Sequence, residues 1–261
     1  SSASATSSIS FGPGSDVTKQ DAKMILTDDR FGTLVTAIKL GRSIYDKIVS
    51  YVRYQMSSLF SLVLLFLVAS IFGINDGVPL TPLMVLFLSF FITVFPVIVI
   101  MSDPAPSDIM TQPPRDPAVT LANPRSVLQW LLYGVVLFAV ILAALLLAPD
   151  EPSTTVATAA TSMAFVVAGL GSIIGGLAMR RDPLSGFAAP IVGALGWLSI
   201  PVVLTVVSVE VGFMQDLLMT QGLTGPQWML CLALSAVLPV VIEVDKAIRR
   251  RSARRSAARL R

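Results

Sequence analysis

The sequence predicts an all-α integral membrane protein: a six-helix transmembrane bundle with both termini cytoplasmic and a short cytoplasmic N-terminal stalk. Three observations predict it. First, 54% of the 261 residues are hydrophobic and only 13% charged, where soluble domains carry about 25% charged residues; the mean hydropathy is +0.78. Second, six stretches reach the roughly 20 apolar residues that a helix needs to cross a bilayer, and none shows the ten-residue alternation of a membrane barrel. Third, with six spans in place, all nineteen lysines and arginines fall on one side. Under the positive-inside rule that side is the cytoplasm.

Taken in order, residues 1–13 read as a disordered Ser-rich tail. Residues 14–52 form a polar stalk, too short to bury a core of its own. Within it Ile44, Ile48 and Tyr51 recur on one helical face that can run unbroken into the membrane. The membrane domain covers 53–246, with spans near Arg53–Ile74, Pro82–Met101, Val127–Ala148, Thr155–Met179, Phe187–Ser208 and Trp228–Lys246. Residues 247–261 complete a basic tail. Seven basic residues precede or edge the first span, from Lys19 to Arg53. Arg115 and Arg125 lie in the second connection, Arg180 and Arg181 in the fourth, and the remaining eight in the tail. The three opposite loops hold Asp76, Asp150, Glu151, Glu210 and Asp216 without one lysine or arginine. About fifty largely polar residues before the first span argue against a cleavable signal peptide.

Composition excludes several chemistries. No histidine is present, which removes His-based acid/base catalysis and His-ligated metal. A single cysteine, Cys231, removes a disulfide framework and reads as an apolar packing residue. The adjacent Asp28 and Asp29 are weak metal candidates without further ligands. Gly169, Gly171, Gly175 and Gly176 stand in the apolar string GLGSIIGG, where small residues let helices approach closely. No strand precedes them to make a dinucleotide loop. The tail cations Lys246, Arg249, Arg250, Arg251, Arg254 and Arg255 are expected to meet anionic lipid headgroups. Without interleaved aromatic residues they are not expected to bind nucleic acid. Trp130, Trp197 and Trp228 read as interfacial anchors.

Four segments carry a family resemblance. GSDVTKQDAKMILTDDRFGTLVTAIKLGRSIYDKIVSYVRYQMSS (Gly14–Ser58) resembles the junction between the phosphorylation domain and the fifth membrane helix of P-type cation-transporting ATPases. LTPLMVLFLSFFITVFP (Leu80–Pro96) resembles their sixth helix, SDIMTQPPRDP (Ser107–Pro117) the DIMxRPPR loop after it, and LTGPQWMLCLALSAVLPVVIEVDKAIRR their last helix. The six spans therefore correspond to the family's fifth to tenth helices.

The resemblance also makes the departures legible. Such pumps phosphorylate the aspartate of a DKTG motif and need TGD and GDGxNDxP motifs; none of these strings occurs in the chain. An aspartyl-phosphate mechanism cannot run without its nucleophile, so the chain on its own is not expected to be an enzyme. After the matching RYxxSS, the family's calcium-type ligands are an asparagine directly following and a glutamate three further on. Those positions are Leu59 and Leu62 here. The family's NLxTD aligns with Ser89–Thr93, placing Ser89, Ile92 and Thr93 where asparagine, threonine and aspartate would stand. Hard cations need several oxygen ligands, and no span carries an Asp, Glu, Lys or Arg in its middle. No metal, cofactor or catalytic residue is therefore expected.

These features lead to the expectation of a non-catalytic polytopic protein, a scaffold or accessory subunit with a membrane-protein partner. The alternative is the translocation half of a P-type pump whose ATP-hydrolysing head lies on a separate or upstream polypeptide. A simple channel would need a charged ring or a filter. The expected location is multi-pass in a membrane, the plasma (inner) membrane if the source is bacterial.

Overall fold

The computed structural model describes residues 9–11, 24–26, 31–104, 109–110, 123–149, 158–181, 187 and 191–259. Two compact units result, Ser1–Asp46 with Pro104–Arg115 and Lys47–Asp103 with Asp116–Arg261. In the first, β1 (Ile9–Phe11) pairs in parallel with β2 (Met24–Leu26), Ile9 opposite Met24. The expected Ser-rich tail thus ends in a short strand. It is the one departure from helix among the described elements. Asp28 and Asp29, and all but Ile109 and Met110 of the Ser107–Pro117 loop, lie outside the described residues.

Six helices are long and apolar enough to cross a membrane, and the protein is an integral multi-pass membrane protein. The first, α1 (Phe31–Phe72), is 42 residues of uninterrupted helix, with Ile44 and Ile48 exposed along it. It stops where Gly73 enters the left-handed region at φ 64°, the usual glycine terminator.

The second span is broken. Thr81 caps α2 (Pro82–Phe87), accepting from the Met84 amide at 3.2 Å with Pro82 at the first helical position, a sound helix start. A π-turn follows over Leu88–Ile92, closed by the Thr93 N–H donating to the Leu88 carbonyl at 2.8 Å, and then α3 (Val94–Ser102). The cause is Pro96. It has no N–H for the Ile92 carbonyl, and the helix widens one turn earlier instead of kinking sharply.

The third and fourth spans are regular. Asn123 caps α4 (Pro124–Leu146) through the Ser126 amide at 2.9 Å. Thr158 and Thr161 form a capping box on α5 (Ala159–Met179). The fifth, α6 (Val192–Glu210), contains Pro201, whose carbonyl accepts from the Thr205 hydroxyl at 2.8 Å. A short α7 (Gly212–Leu218) fills the next loop and ends on Met219 at φ 56°. The sixth span is α8 (Gly225–Ser235) and α9 (Val237–Arg259), separated at Ala236, where Pro239 leaves the Ser235 carbonyl without its helical donor.

α5 is the centre of the second unit, with 94% of its most apolar window buried. Its glycines set how closely the others approach. A Cβ on Gly169 would meet Ile92 and Leu88 at 3.5 Å and Thr205 at 3.3 Å. On Gly171 it would meet Leu137 at 3.0 Å, and on Gly175 Leu238 at 2.7 Å. On Gly176 it would stand 2.6 Å from Pro96 Cβ and 3.2 Å from Tyr54. The four glycines therefore face neighbours from all five other spans. Gly134 of α4 does the same for α1, where a Cβ would fall 2.9 Å from Phe60 Cβ and from the Ser57 carbonyl.

Candidate functional site

Two regions hold the residues singled out above: the positions matching the family's cation ligands, and the polar ends of the spans.

The ligand-equivalent positions do not converge. Leu59 is 50% exposed on the outer face of α1, while Leu62 packs partly buried against the core. Ser89 is exposed and spends its hydroxyl on the Val85 carbonyl at 2.8 Å. Thr93, half-buried, donates to the Ser89 carbonyl at 3.0 Å. Ile92 is fully buried toward α5. Both hydroxyls donate within their own helix, which fixes their orientation and leaves the oxygen lone pairs unused by these bonds. Among the described residues no three His, Cys, Asp or Glu side chains gather into a cation site.

The end of the bundle that carries the basic residues is built differently. Lys47 of α1 donates to the Met101 carbonyl at 2.7 Å, joining the start of the first span to the end of the second. Just past α3, Asp103 is nearly buried and pairs with both Arg180 (3.6 Å) and Arg181 at the end of α5. Burial pulls the Arg180 guanidinium below its ordinary pKa, and Asp103 beside it pulls the other way. Asp245 of α9 accepts from the Tyr133 hydroxyl at 2.6 Å and from Gln129 at 3.0 Å, both in the N-terminal half of α4, and pairs with Arg249 at 3.1 Å. These bonds bring the start of spans one and three and the end of spans two, four and six to one level. That requires the first four spans to alternate in direction and the sixth to run with the second and fourth.

Lys246 requires a correction. It was expected at lipid headgroups, yet its side chain is 0% exposed. Its ammonium donates to the Ala178 carbonyl, with Glu243 at 3.6 Å. The physical reason lies in α5. The last carbonyls of a helix have no intrahelical donor and carry its negative dipole end, and the Lys246 ammonium supplies a donor to one of them. Arg249 is also partly engaged, through Asp245. Arg250 is half-buried and donates to the Lys246 carbonyl at 3.4 Å. Arg251 and Arg255 are exposed, and the Arg254 side chain lies outside the described residues.

The sequence reading missed the Asp103–Arg180–Arg181 and Gln129–Tyr133–Asp245 groups. The available signal was opposite charge at matching span ends. At the other end the bonds are mostly neutral: Thr81 to the Leu218 carbonyl at 3.3 Å, Thr220 to the Ser208 carbonyl at 2.6 Å, and the Gln221 amide to Ser162 at 2.7 Å. There Trp228 donates its indole N–H to Glu210 at 2.8 Å. Of the other tryptophans, Trp130 is buried and Trp197 exposed.

Five spans around a buried sixth, with polar ends bonded at one level, define a polytopic membrane domain. Its relatives specify which. The family described as "Cation transporting ATPase, C-terminus" matches residues 77–248, most of the chain, and the chain belongs to that family. It is 34% identical over 102 residues to calcium-transporting ATPase 1 of Yarrowia lipolytica, covering 39% of this chain and 11% of that protein. It is 33% identical over 104 residues to the calcium-transporting ATPase of Bacillus subtilis, covering 40% and 12%. Against calcium-transporting ATPase 1 of Schizosaccharomyces pombe the identity is 31% over 102 residues, covering 39% and 11%. The aligned segment is about a tenth of each relative.

Proposed function

We infer that the chain is the membrane translocation half of a P-type cation transporter, working with an ATP-hydrolysing head carried elsewhere, and that both its termini are cytoplasmic. One observation carries this reading: α1 runs unbroken for 42 residues, far longer than a bilayer needs. A rigid rod of this kind conveys displacement, because a helix has no soft joint without proline, glycine pairs or a bulge. Arg42, on its stalk portion, donates to the Ile109 carbonyl at 2.9 Å in the loop resembling DIMxRPPR. A plain membrane anchor has no use for such a rod or for a loop bound to it.

Native mass spectrometry of the endogenous complex in mild detergent tests this. The expected result is a longer polypeptide, or a tightly bound chain bearing DKTG. A 27.8 kDa chain alone, or with partners lacking that motif, overturns it.

A second reading, the non-catalytic scaffold or accessory subunit, draws on Leu59, Leu62 and Ile92 standing at ligand-equivalent positions. It expects no cation to stabilise the wild-type chain against heat. Leu62→Glu with Thr93→Asp would then introduce cation dependence where none existed. Stabilisation of the wild type by any mono- or divalent cation counts against the scaffold.

A further inference from the structure

We propose that the tail helix beyond Arg250 is a docking surface for the anionic phospholipid headgroups of the leaflet at the charged end, and that Lys246 has no part in it. The argument starts from the unequal use of the tail's cations. α9 continues as helix from the membrane to Arg259. Its first cation, Lys246, is spent inside the bundle on the Ala178 carbonyl, and its second, Arg249, on Asp245. Arg251 and Arg255 are exposed. From Lys246 to Arg261 the sequence holds eight basic residues and no acidic one, so nothing within the tail neutralises the outer arginines.

The occupant follows from charge and position. A helix leaving the bilayer carries its next two turns through the headgroup layer, at 1.5 Å per residue. An excess of arginine there is attracted by anionic lipid, and the attraction fades within a Debye length. An acidic protein domain would have to displace those headgroups first. The surface is independent of whether the chain pumps or scaffolds.

The test uses the full chain with Ser256→Cys, labelled with an environment-sensitive fluorophore; the buried Cys231 does not compete for the label. The protein is placed in nanodiscs of phosphatidylcholine alone, or with one third phosphatidylglycerol, and quenched with neutral acrylamide. Quenching should fall several-fold in the anionic discs and recover at high salt. Arg251→Gln and Arg255→Gln should each weaken the protected state by about fivefold. Lys246→Gln should leave the difference between the two lipids unchanged. Equal quenching in both discs, or protection that survives both arginine substitutions, overturns the proposal. Protection in either disc that appears only with an added acidic protein would make a protein the occupant.

Discussion

The central helix α5 and the first span α1 both carry a long apolar stretch, yet 94% of that stretch is buried in one and only 22% in the other. Hydropathy does not separate their membrane portions, since both are apolar enough to cross a bilayer. Side-chain size does. α5 is rich in Gly, Ala, Ser and Thr, and five spans press against it; the outer face of α1 carries Leu59, Val63, Leu67 and Ile71, all exposed. In lipid there is no hydrophobic drive bringing helices together, so close packing and polar bonds decide which helix sits inside. Leu59 and Ile92, which the resemblance alone sets at ligand positions, divide along the same line, Leu59 exposed and Ile92 buried.

The sharpest way to break the comparison is to truncate one large apolar side chain in each helix. Phe165→Ala in α5, at 0% exposure, should cost about 4 kcal/mol through the cavity it leaves. Leu67→Ala on α1, at 52% exposure, should stay within about 0.5 kcal/mol. Thermal unfolding in mild detergent reads both, and similar losses would mean that the burial contrast has no energetic content. Next in size is Asp103→Asn, which strips the buried Arg180 of its carboxylate and should cost about 3 kcal/mol. A silent Asp103→Asn would show the charged end to be a surface network.

Glycine packing comes third. Gly176→Val must push on Pro96, which cannot rotate away, and should cost about 2 kcal/mol. Gly193→Val, with nothing within 4 Å of its added Cβ, should be close to neutral under the same assay. Equal effects at the two would remove the argument that glycine places α5 at the centre. The smallest effect belongs to Lys246→Gln, which loses a charge-assisted bond to the Ala178 carbonyl and should cost about 1.5 kcal/mol. The loss should be the same in neutral and anionic lipid; a loss confined to anionic discs would return Lys246 to the headgroup layer.

Much of the fold was legible beforehand. The span read as Pro82–Met101 ends one residue from Pro82–Ser102, and that read as Thr155–Met179 shares its end with Ala159–Met179 but starts four residues earlier, because hydrocarbon tolerates no unpaired backbone and so imposes helix wherever apolar residues persist. The short α7 was not legible. Its seven residues are too few for a periodic signal, and they lie between spans where hydropathy falls. The break at Ala236 had its signal in Pro239, and the π-turn had one in Pro96, but a proline does not say whether the helix will kink or widen.

The site was less legible than the fold. Leu59, Leu62, Ser89, Ile92 and Thr93 were found only by resemblance, and spacing along two helices could not tell that Leu59 faces out while Ile92 faces α5. Lys246 went astray because a string of tail cations looks uniform in one dimension, whereas an unsatisfied carbonyl on another helix claims one of them.

By itself, then, the sequence determined the number of apolar spans and that each is helical, since transfer into hydrocarbon is decided residue by residue along the chain. Which helix lies at the centre, which glycine meets which neighbour and which cations are withdrawn from the surface were decided only in three dimensions. Those outcomes depend on contacts between residues far apart in the chain, and short-range pattern carries no information about them.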